Sequence, residues 1–89
     1  MDTDKIKKAV RLFLEGIGED PGRDGLKKTP DRVEKMCRQI LGGIGKDTSH
    51  RIKVFECEKF DEIVLLKDIY FYSLCEHHLL PFSGKIHIA

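Results

Sequence analysis

The 89-residue sequence lacks tryptophan, contains three prolines and three cysteines, and has no apolar run near the ~18 residues that a transmembrane helix requires. Its amino terminus, Met1-Asp2-Thr3-Asp4, is acidic and has neither the basic region nor the apolar core of a signal peptide. An odd number of cysteines does not form a disulfide framework, and thiols in a reducing compartment are more often core residues, metal ligands or nucleophiles. We therefore expect a cytoplasmic protein without a membrane partner.

An excess of charge of either sign is also missing. Sixteen Lys and Arg residues face fifteen Asp and Glu residues, which leaves a net charge of +1 although 35% of the chain is charged. Binding to nucleic acid needs clustered excess cation, so we expect no nucleic-acid partner. The length allows one small domain, and a chain this short buries only roughly 60 to 65% of its unfolded surface. A second subunit, a metal or a further segment would help to stabilise it.

Two segments show helical periodicity. Apolar residues three and four positions apart predict a helix over about residues 4–16, with Thr3 or Asp4 as its cap and glycines at its end. Thr29 followed by Pro30 predicts a second helix over about residues 30–41. The Thr hydroxyl can accept from an unpaired N–H group, and proline at the first helical position has no N–H to leave unpaired.

From about residue 51 the pattern changes to β-branched and aromatic runs, "IKVFECE", "EIVLL", "IYFYSL" and "KIHIA". These runs predict antiparallel strands, and Phe55, Phe60, Phe71 and Phe82 are expected in the core. The fold class is therefore α+β, with two N-terminal helices followed by an antiparallel sheet in a single domain over residues 1–89. The sequence reaches its last residue inside an apolar run, so we expect a further segment downstream.

The sequence "SLCEHHLLPF" places one thiol, one carboxylate and two imidazoles between apolar residues. Cys75 and His78, three residues apart in a turn, can aim their donor atoms at one zinc ion, which leaves His77 to face a substrate. The spacing alone leaves open a core cysteine with two surface histidines. Glu76 could orient a neighbouring group or be a solvated turn residue. Candidates for a third ligand are Glu76, Cys37, Cys57, His50 and His87.

Phosphate binding has two possible sources in the sequence. Arg32 and Lys35 lie three residues apart near the start of the second helix, where the helix dipole favours anions, although such a pair is more often part of a solvated helix face. The segment "ILGGIGKDT" suggests a phosphate-binding loop of the Walker type. That alternative fails because Ile40 and Asp47 occupy the positions of the required Gly and Ser or Thr.

The segments "GEDPGRDGLKKTPDRVEKM" and "KDIYFYSLCEHHLLPFSGKIHIA", in this order, closely resemble the N-terminal half of the zinc-dependent GTP cyclohydrolase I family. The resemblance implies the tunnelling fold, assembly with other copies into a homodecamer, and conversion of GTP to 7,8-dihydroneopterin triphosphate and formate for folate or tetrahydrobiopterin synthesis. It implies that Cys75 and His78 bind zinc and that His77 is the acid and base catalyst. Arg32 and Lys35 match basic residues that bind the triphosphate across a subunit boundary.

The family pattern continues for about as many residues again, and that half supplies a third zinc ligand, a second catalytic histidine and the glutamate that recognises guanine. Two hypotheses follow. Under the first, these residues are the N-terminal part of a GTP cyclohydrolase I that is inactive without the rest. Under the second, they form a noncatalytic module that assembles with itself or binds zinc weakly.

Overall fold

A computed structural model describes residues 1–54, 56 and 61–89. Its elements are helix α1 (Thr3–Gly16), helix α2 (Thr29–Ile40), a short 3-10 turn (Ser49–Arg51), strand β1 (Leu66–Leu74) and strand β2 (Pro81–Ile88). Two helices followed by an antiparallel sheet confirm the predicted α+β class. The chain divides into two compact units, Met1–Gly42 and Gly43–Ala89, and each is described by itself. The single domain over residues 1–89 stays a prediction.

Helix α1 begins and ends with side-chain and backbone caps. Asp2, rather than Thr3 or Asp4, is the N-cap, and its carboxylate accepts from the Lys5 N–H at 3.0 Å. The sequence prediction was wrong here because several adjacent polar residues can each perform this role. At the other end, Gly18 has a φ of +87°, the Glu19 N–H donates to Leu14 and the Gly18 N–H donates to Glu15. These two bonds form a Schellman motif, which requires the left-handed conformation that glycine adopts without penalty.

Helix α2 begins one residue earlier than the Thr29 cap predicted. Lys28 is the N-cap residue and makes no side-chain capping bond, while Thr29 is already helical and Pro30 lies in the first turn. Thr29 as a cap is therefore wrong, although proline in the first turn is as expected. The helix ends where the Leu41 N–H donates to Cys37. A Cβ atom at Gly42 would lie 2.5 Å from the Arg38 carbonyl oxygen, so the chain needs glycine there.

A polar network joins α1 to α2. The Glu34 carboxylate, only 6% exposed, accepts from the Thr3 hydroxyl at 3.1 Å and from the Arg38 guanidinium, which also donates to Thr3. A second bond joins Lys7 to Asp31 at 2.6 Å. The buried carboxylate thus has a cation and a hydroxyl as partners, which is the condition for burying a charge.

Strands β1 and β2 form an antiparallel hairpin in which Ser73 pairs with Phe82 and Phe71 pairs with Gly84. The Phe71 ring lies over Gly84, and it meets the Phe82 ring edge to face with centroids 6.0 Å apart. These contacts of the Phe71 ring stabilise the pairing of the two strands. Phe82 is nevertheless 48% exposed, so the predicted core position is wrong for this residue. Phe55 and Phe60 lie outside the described residues.

The hairpin contains a β-bulge near its open end. The register shifts between Leu66 and Ile69, and Asp68 has a φ of +60°. The Asp68 N–H donates to His87 Nδ1 at 3.2 Å, and its carboxylate accepts from Lys85 Nζ at 3.2 Å. The Lys85 ammonium lies 5.0 Å from the centre of the Tyr70 ring. The side chains of β2 thereby hold the extra residue of β1 in place.

The strands predicted before residue 66 are not found among the described residues, and this part of the prediction is wrong. Residues 52–54 and 56 are not in a strand, and neither are residues 62–65 of the second apolar run. Phe55, Cys57 and Glu58 of the first run lie outside the described residues. A β-branched run forms a strand only when a neighbouring strand accepts its backbone hydrogen bonds, and the described residues supply no such neighbour here.

Among the described residues, burial is confined to unit Met1–Gly42, the helical unit. Leu14 on α1 and Pro30 and Glu34 on α2 are the buried residues of the described part of the chain. The described residues of unit Gly43–Ala89 include no buried one, and a two-stranded hairpin is marginal by itself in water. No helix among the described residues has both the length and the apolar run needed to cross a bilayer.

Candidate functional site: the loop between β1 and β2

The predicted metal-binding residues occupy the loop that joins β1 to β2, residues 75–80. Two backbone hydrogen bonds close this loop: the Cys75 N–H donates to the Leu80 carbonyl, and the Leu79 N–H donates to the Cys75 carbonyl, both at 2.8 Å. The second bond spans four residues and makes one turn of helix that does not continue. Leu79, with a φ of +57°, ends this turn and directs the chain into β2.

The side chains of the loop lie close together. Cys75 Sγ is 3.6 Å from His77 Nδ1, and His77 Nε2 is 3.7 Å from Glu76 Oε1. The His77 and His78 rings have centroids 6.1 Å apart. The His77 side chain is 72% exposed and the Glu76 side chain 89%, whereas Cys75 is half-buried. The loop therefore presents a thiol and two imidazoles to a ligand from outside.

The thiol's observed neighbour differs from the predicted partner. The sequence paired Cys75 with His78 on one zinc ion, while the structure places the His77 ring against Cys75 Sγ. The zinc ligands Cys75 and His78 and the catalytic role of His77 stay predictions. The structure does bring one thiol and two imidazoles together in this loop. Thiolate sulfur and imidazole nitrogen are among the ligands that zinc prefers in proteins.

The third ligand is not found within the part of the chain that the structure describes. No group of three His, Cys, Asp or Glu side chains among these residues could hold a metal ion. Cys37 belongs to α2, His50 to the 3-10 turn, and His87 accepts from the Asp68 N–H. Cys57 lies outside the described residues. The loop therefore fits zinc by donor chemistry and supplies part of a site.

The candidate phosphate ligands Arg32 and Lys35 belong to the helical unit, where both are exposed on α2. Asp31, which directly precedes Arg32 on this helix, forms an ion pair with Lys7 of α1. The hydrogen bond from Lys7 holds the pKa of Asp31 below its usual range, and the nearby charges of Arg11 and Lys35 act in the same direction. Asp31 is thus charged and already partnered, which leaves the two cations available to an anion.

Sequence reasoning missed two features of the hairpin. The left-handed conformation of Leu79 has no sequence signal, because leucine rarely adopts it. The contacts of Asp68 with Lys85 and His87 depend on the bulge, which the apolar alternation of β1 does not reveal. In the helices, the i, i+4 spacing of Glu34 and Arg38 could have indicated their ion pair.

A sequence model of the GTP cyclohydrolase I family matches residues 6–89, which is nearly the whole chain. The chain belongs to the GTP cyclohydrolase I family. Two helices followed by an antiparallel hairpin agree with the N-terminal part of this family's tunnelling fold. The resemblance drawn from the two sequence segments is thereby confirmed.

Curated relatives support the same assignment. The chain is 55% identical over 89 residues to GTP cyclohydrolase 1 of Caldanaerobacter subterraneus subsp. tengcongensis, covering 100% of this chain and 47% of the relative. It is 58% identical over 90 residues to the Aquifex aeolicus protein of that name and 54% identical over 90 residues to the Clostridioides difficile protein, again covering 100% of this chain and 47% of each relative. The chain therefore spans about half the length of these GTP cyclohydrolase I relatives.

Proposed function

We propose that these residues form the N-terminal part of an enzyme that converts GTP to 7,8-dihydroneopterin triphosphate and formate, the first step of folate or tetrahydropterin synthesis. The observation that carries the proposal is the loop of residues 75–80. It holds Cys75, Glu76, His77 and His78 in one closed turn of a chain that matches the GTP cyclohydrolase I family over residues 6–89. The relatives carry the name of that enzyme.

In this proposal Cys75 and His78 hold a zinc ion with a ligand from outside the described residues. Zinc with one open coordination position supplies a water molecule whose pKa is lowered to about 7. The loop's contribution is to present sulfur and nitrogen donors on a backbone turn closed by two hydrogen bonds. Both bonds join backbone groups, so they leave the side-chain donors free to bind.

His77 is proposed to move protons during opening and reclosure of the guanine ring. Its Nδ1 atom faces the Cys75 thiol, and its Nε2 atom lies on the side of Glu76. We assign the proton transfers to Nε2, since a 72% exposed imidazole offers this atom to a ligand. Glu76, 3.7 Å away, either orients the imidazole or is a solvated turn residue.

Arg32 and Lys35 are proposed to bind the triphosphate of GTP. Both are exposed on the first turns of α2, where the helix dipole also favours an anion. By analogy with the family, this contact reaches across a boundary between subunits of a homo-oligomer. The proposed partners are therefore GTP and other copies of the chain.

A chimeric protein tests the proposal directly. Residues 1–89 would replace the matching half of the Aquifex aeolicus relative, to which they are 58% identical. We expect formate to be released in step with pterin fluorescence. His77→Ala should reduce turnover by at least a hundredfold, the scale of a lost general acid or base. The matched control is His50→Ala, an exposed histidine of the 3-10 turn, which should leave turnover unchanged.

A chimera that folds and assembles but releases no formate would contradict the catalytic proposal. Equal losses in His77→Ala and His50→Ala would contradict the role of His77. The 89-residue chain by itself is proposed to be inactive, because its described residues supply too few metal ligands. Turnover by the isolated chain that His77→Ala abolishes would overturn this part.

The second candidate function is a noncatalytic module that assembles with itself or binds zinc. The incomplete donor set of the described residues favours it. Zinc content of the purified chain after dialysis without chelator separates the two outcomes. Close to one zinc per chain, lost in Cys75→Ser and kept in Cys37→Ser, would support a metal module completed by this chain or a second copy. If the chain retained no zinc, the result would support the first hypothesis, in which Cys75 and His78 are half of an enzyme's zinc site.

A further inference from the structure

We propose that Leu79 is a positioning residue for the loop's metal donors and that it acts through its left-handed backbone rather than through its side chain. This inference rests on the zinc site proposed above and names a residue outside the Cys-Glu-His-His sequence. The backbone of Leu79 has a φ of +57°, and two residues later the chain enters the closing pair of β1 and β2, Leu74 with Pro81.

The conformation of Leu79 connects the turn that carries the donors to the start of β2. Its N–H donates to the Cys75 carbonyl at 2.8 Å, so residues 75–79 form one hydrogen-bonded ring. A left-handed residue ends a helical turn in the same way at helix C-termini, where it reverses the chain and satisfies the last carbonyl. The next bond, from the Cys75 N–H to Leu80, then rejoins the strands. The ring begins at Cys75 and ends at Leu79, so Glu76, His77 and His78 lie within it.

Leucine is an unfavourable choice for this conformation. Glycine, asparagine and aspartate account for most left-handed residues, and a bulky side chain there is an outlier. Asp68, the other left-handed residue of the hairpin that is not glycine, is of the tolerated type. Backbone strain of this kind concentrates at functional sites, where the surroundings impose it.

Packing of the side chain does not account for the conformation. The Leu79 side chain is 69% exposed, so burial in this chain does not hold the residue left-handed. What holds it is the pair of hydrogen bonds on either side of the loop. If Leu79 became extended, the chain after it would leave in another direction, and the Leu80 carbonyl would move away from the Cys75 N–H. The thiol would then lose its fixed position relative to His77, which now lies 3.6 Å from it.

Two substitutions separate the effect of the Leu79 backbone conformation from the effect of its side chain. Leu79→Asn removes the apolar side chain but tolerates the left-handed conformation, whereas Leu79→Val stays apolar but is β-branched and disfavours it. The probe is Co(II) added to the chimera described above, whose second half would complete the site, and its cobalt–thiolate absorption band is compared with that of Cys75→Ser. We expect Leu79→Val to bind Co(II) about tenfold more weakly than the unsubstituted chimera, and Leu79→Asn to stay within about twofold. Amide hydrogen exchange of Cys75, whose N–H donates to the Leu80 carbonyl, should accelerate in Leu79→Val alone.

Further variants keep the test decisive. Leu79→Gly adopts the left-handed conformation freely, so it should also stay within about twofold even if Leu79→Val disturbs the hairpin. Equal Co(II) affinity in the valine variant and the unsubstituted chimera, or a tenfold loss in both the asparagine and glycine variants, overturns the positioning role. That result would leave the zinc site standing as long as Cys75→Ser removes the band. A chimera that folds and assembles but shows no band, or a band that survives Cys75→Ser at full strength, overturns the zinc assignment and the positioning role with it.

Discussion

Glu34 is a charged residue that the chain buries, and its surroundings explain why it stays ionised. Burial raises the pKa of the carboxyl, but hydrogen bonds from Arg38 and Thr3 outweigh that effect, with smaller contributions from the charges of Arg38 and Lys7. The net pKa lies below the ordinary glutamate value. The ionised form is therefore the one that joins α1 to α2.

This arrangement predicts an acid-sensitive contact between the helices. A carboxyl whose pKa is lower in the folded than in the unfolded chain stabilises the fold above the unfolded value of about 4.3, and the contribution disappears as pH falls through the folded value. We expect the wild-type melting temperature, followed by helical circular dichroism, to exceed that of Glu34→Gln at pH 7. The difference should shrink steadily below pH ~4.

Glu15→Gln is the control for this measurement, because Glu15 is an exposed glutamate on α1. It should leave the melting temperature nearly unchanged at pH 7. A gap between the wild-type chain and Glu34→Gln that is constant from pH 7 to pH 3 would contradict the role of the charge.

The donor types of the site could be predicted from sequence, whereas their mutual contacts could not. One thiol and two imidazoles within four positions must share a neighbourhood, whatever the backbone does. Which ring lies against Cys75 depends on the dihedral angles of the turn, and the left-handed Leu79 sets where that turn ends. Leucine carries no sequence signal for this conformation, so the contact with His77 was not foreseen.

At the scale of elements, the helices followed from local signals and the early strands did not. Periodic apolar residues, with glycine at the C-terminal end of each helix, placed α1 and α2 within a residue or so of their observed bounds. Periodicity and glycine act through the helix itself, so they can be read locally. The run at residues 52–54 needs a partner strand that the described residues do not contain. Its β-branched side chains were therefore insufficient evidence.

The end of α1 offers a matched pair of glycine substitutions. Gly16 is the last helical residue with open space around it, while Gly18 has a φ of +87°. We expect Gly16→Ala to raise the free energy of unfolding by about 0.5 kcal/mol or more through helix propensity. Gly18→Ala should lower it by about 1 kcal/mol, since alanine resists the left-handed conformation. Urea unfolding followed by circular dichroism measures both, and changes of the same sign would contradict the Schellman motif.

The hairpin has a comparable test at Gly84. A Cβ atom at this position would lie 2.8 Å from Phe71 Cε1 and 3.0 Å from Cζ, so Gly84→Ala must displace the ring. The expected cost is about 1 kcal/mol or more, seen as faster amide exchange along β1. Ser83→Ala, at the neighbouring position opposite Tyr72, is the control and should exchange like the wild-type chain. Unchanged exchange in Gly84→Ala would show that the ring does not lie over the glycine.

At the scale of the whole molecule, the exposed apolar surface is distributed unevenly along the chain. Only a few large apolar residues of Met1–Gly42 are exposed, but those of the described part of Gly43–Ala89 are exposed nearly throughout. Strands β1 and β2 pair only with each other among the described residues, so the outer edge of each carries unpaired backbone groups. Open edges beside apolar side chains are a surface on which further strands can pair.

We therefore expect the isolated 89-residue chain to self-associate through the hairpin. Sedimentation velocity should show larger species as concentration rises. Leu66→Lys on β1 should weaken association roughly tenfold, because burying a leucine side chain stabilises a contact by about 1.5 kcal/mol or more. Leu12→Lys is closely matched in residue type and exposure, 63% against 61%, but lies on α1 and should have little effect. A monomer at every concentration, or equal weakening by both substitutions, would place the associating surface elsewhere.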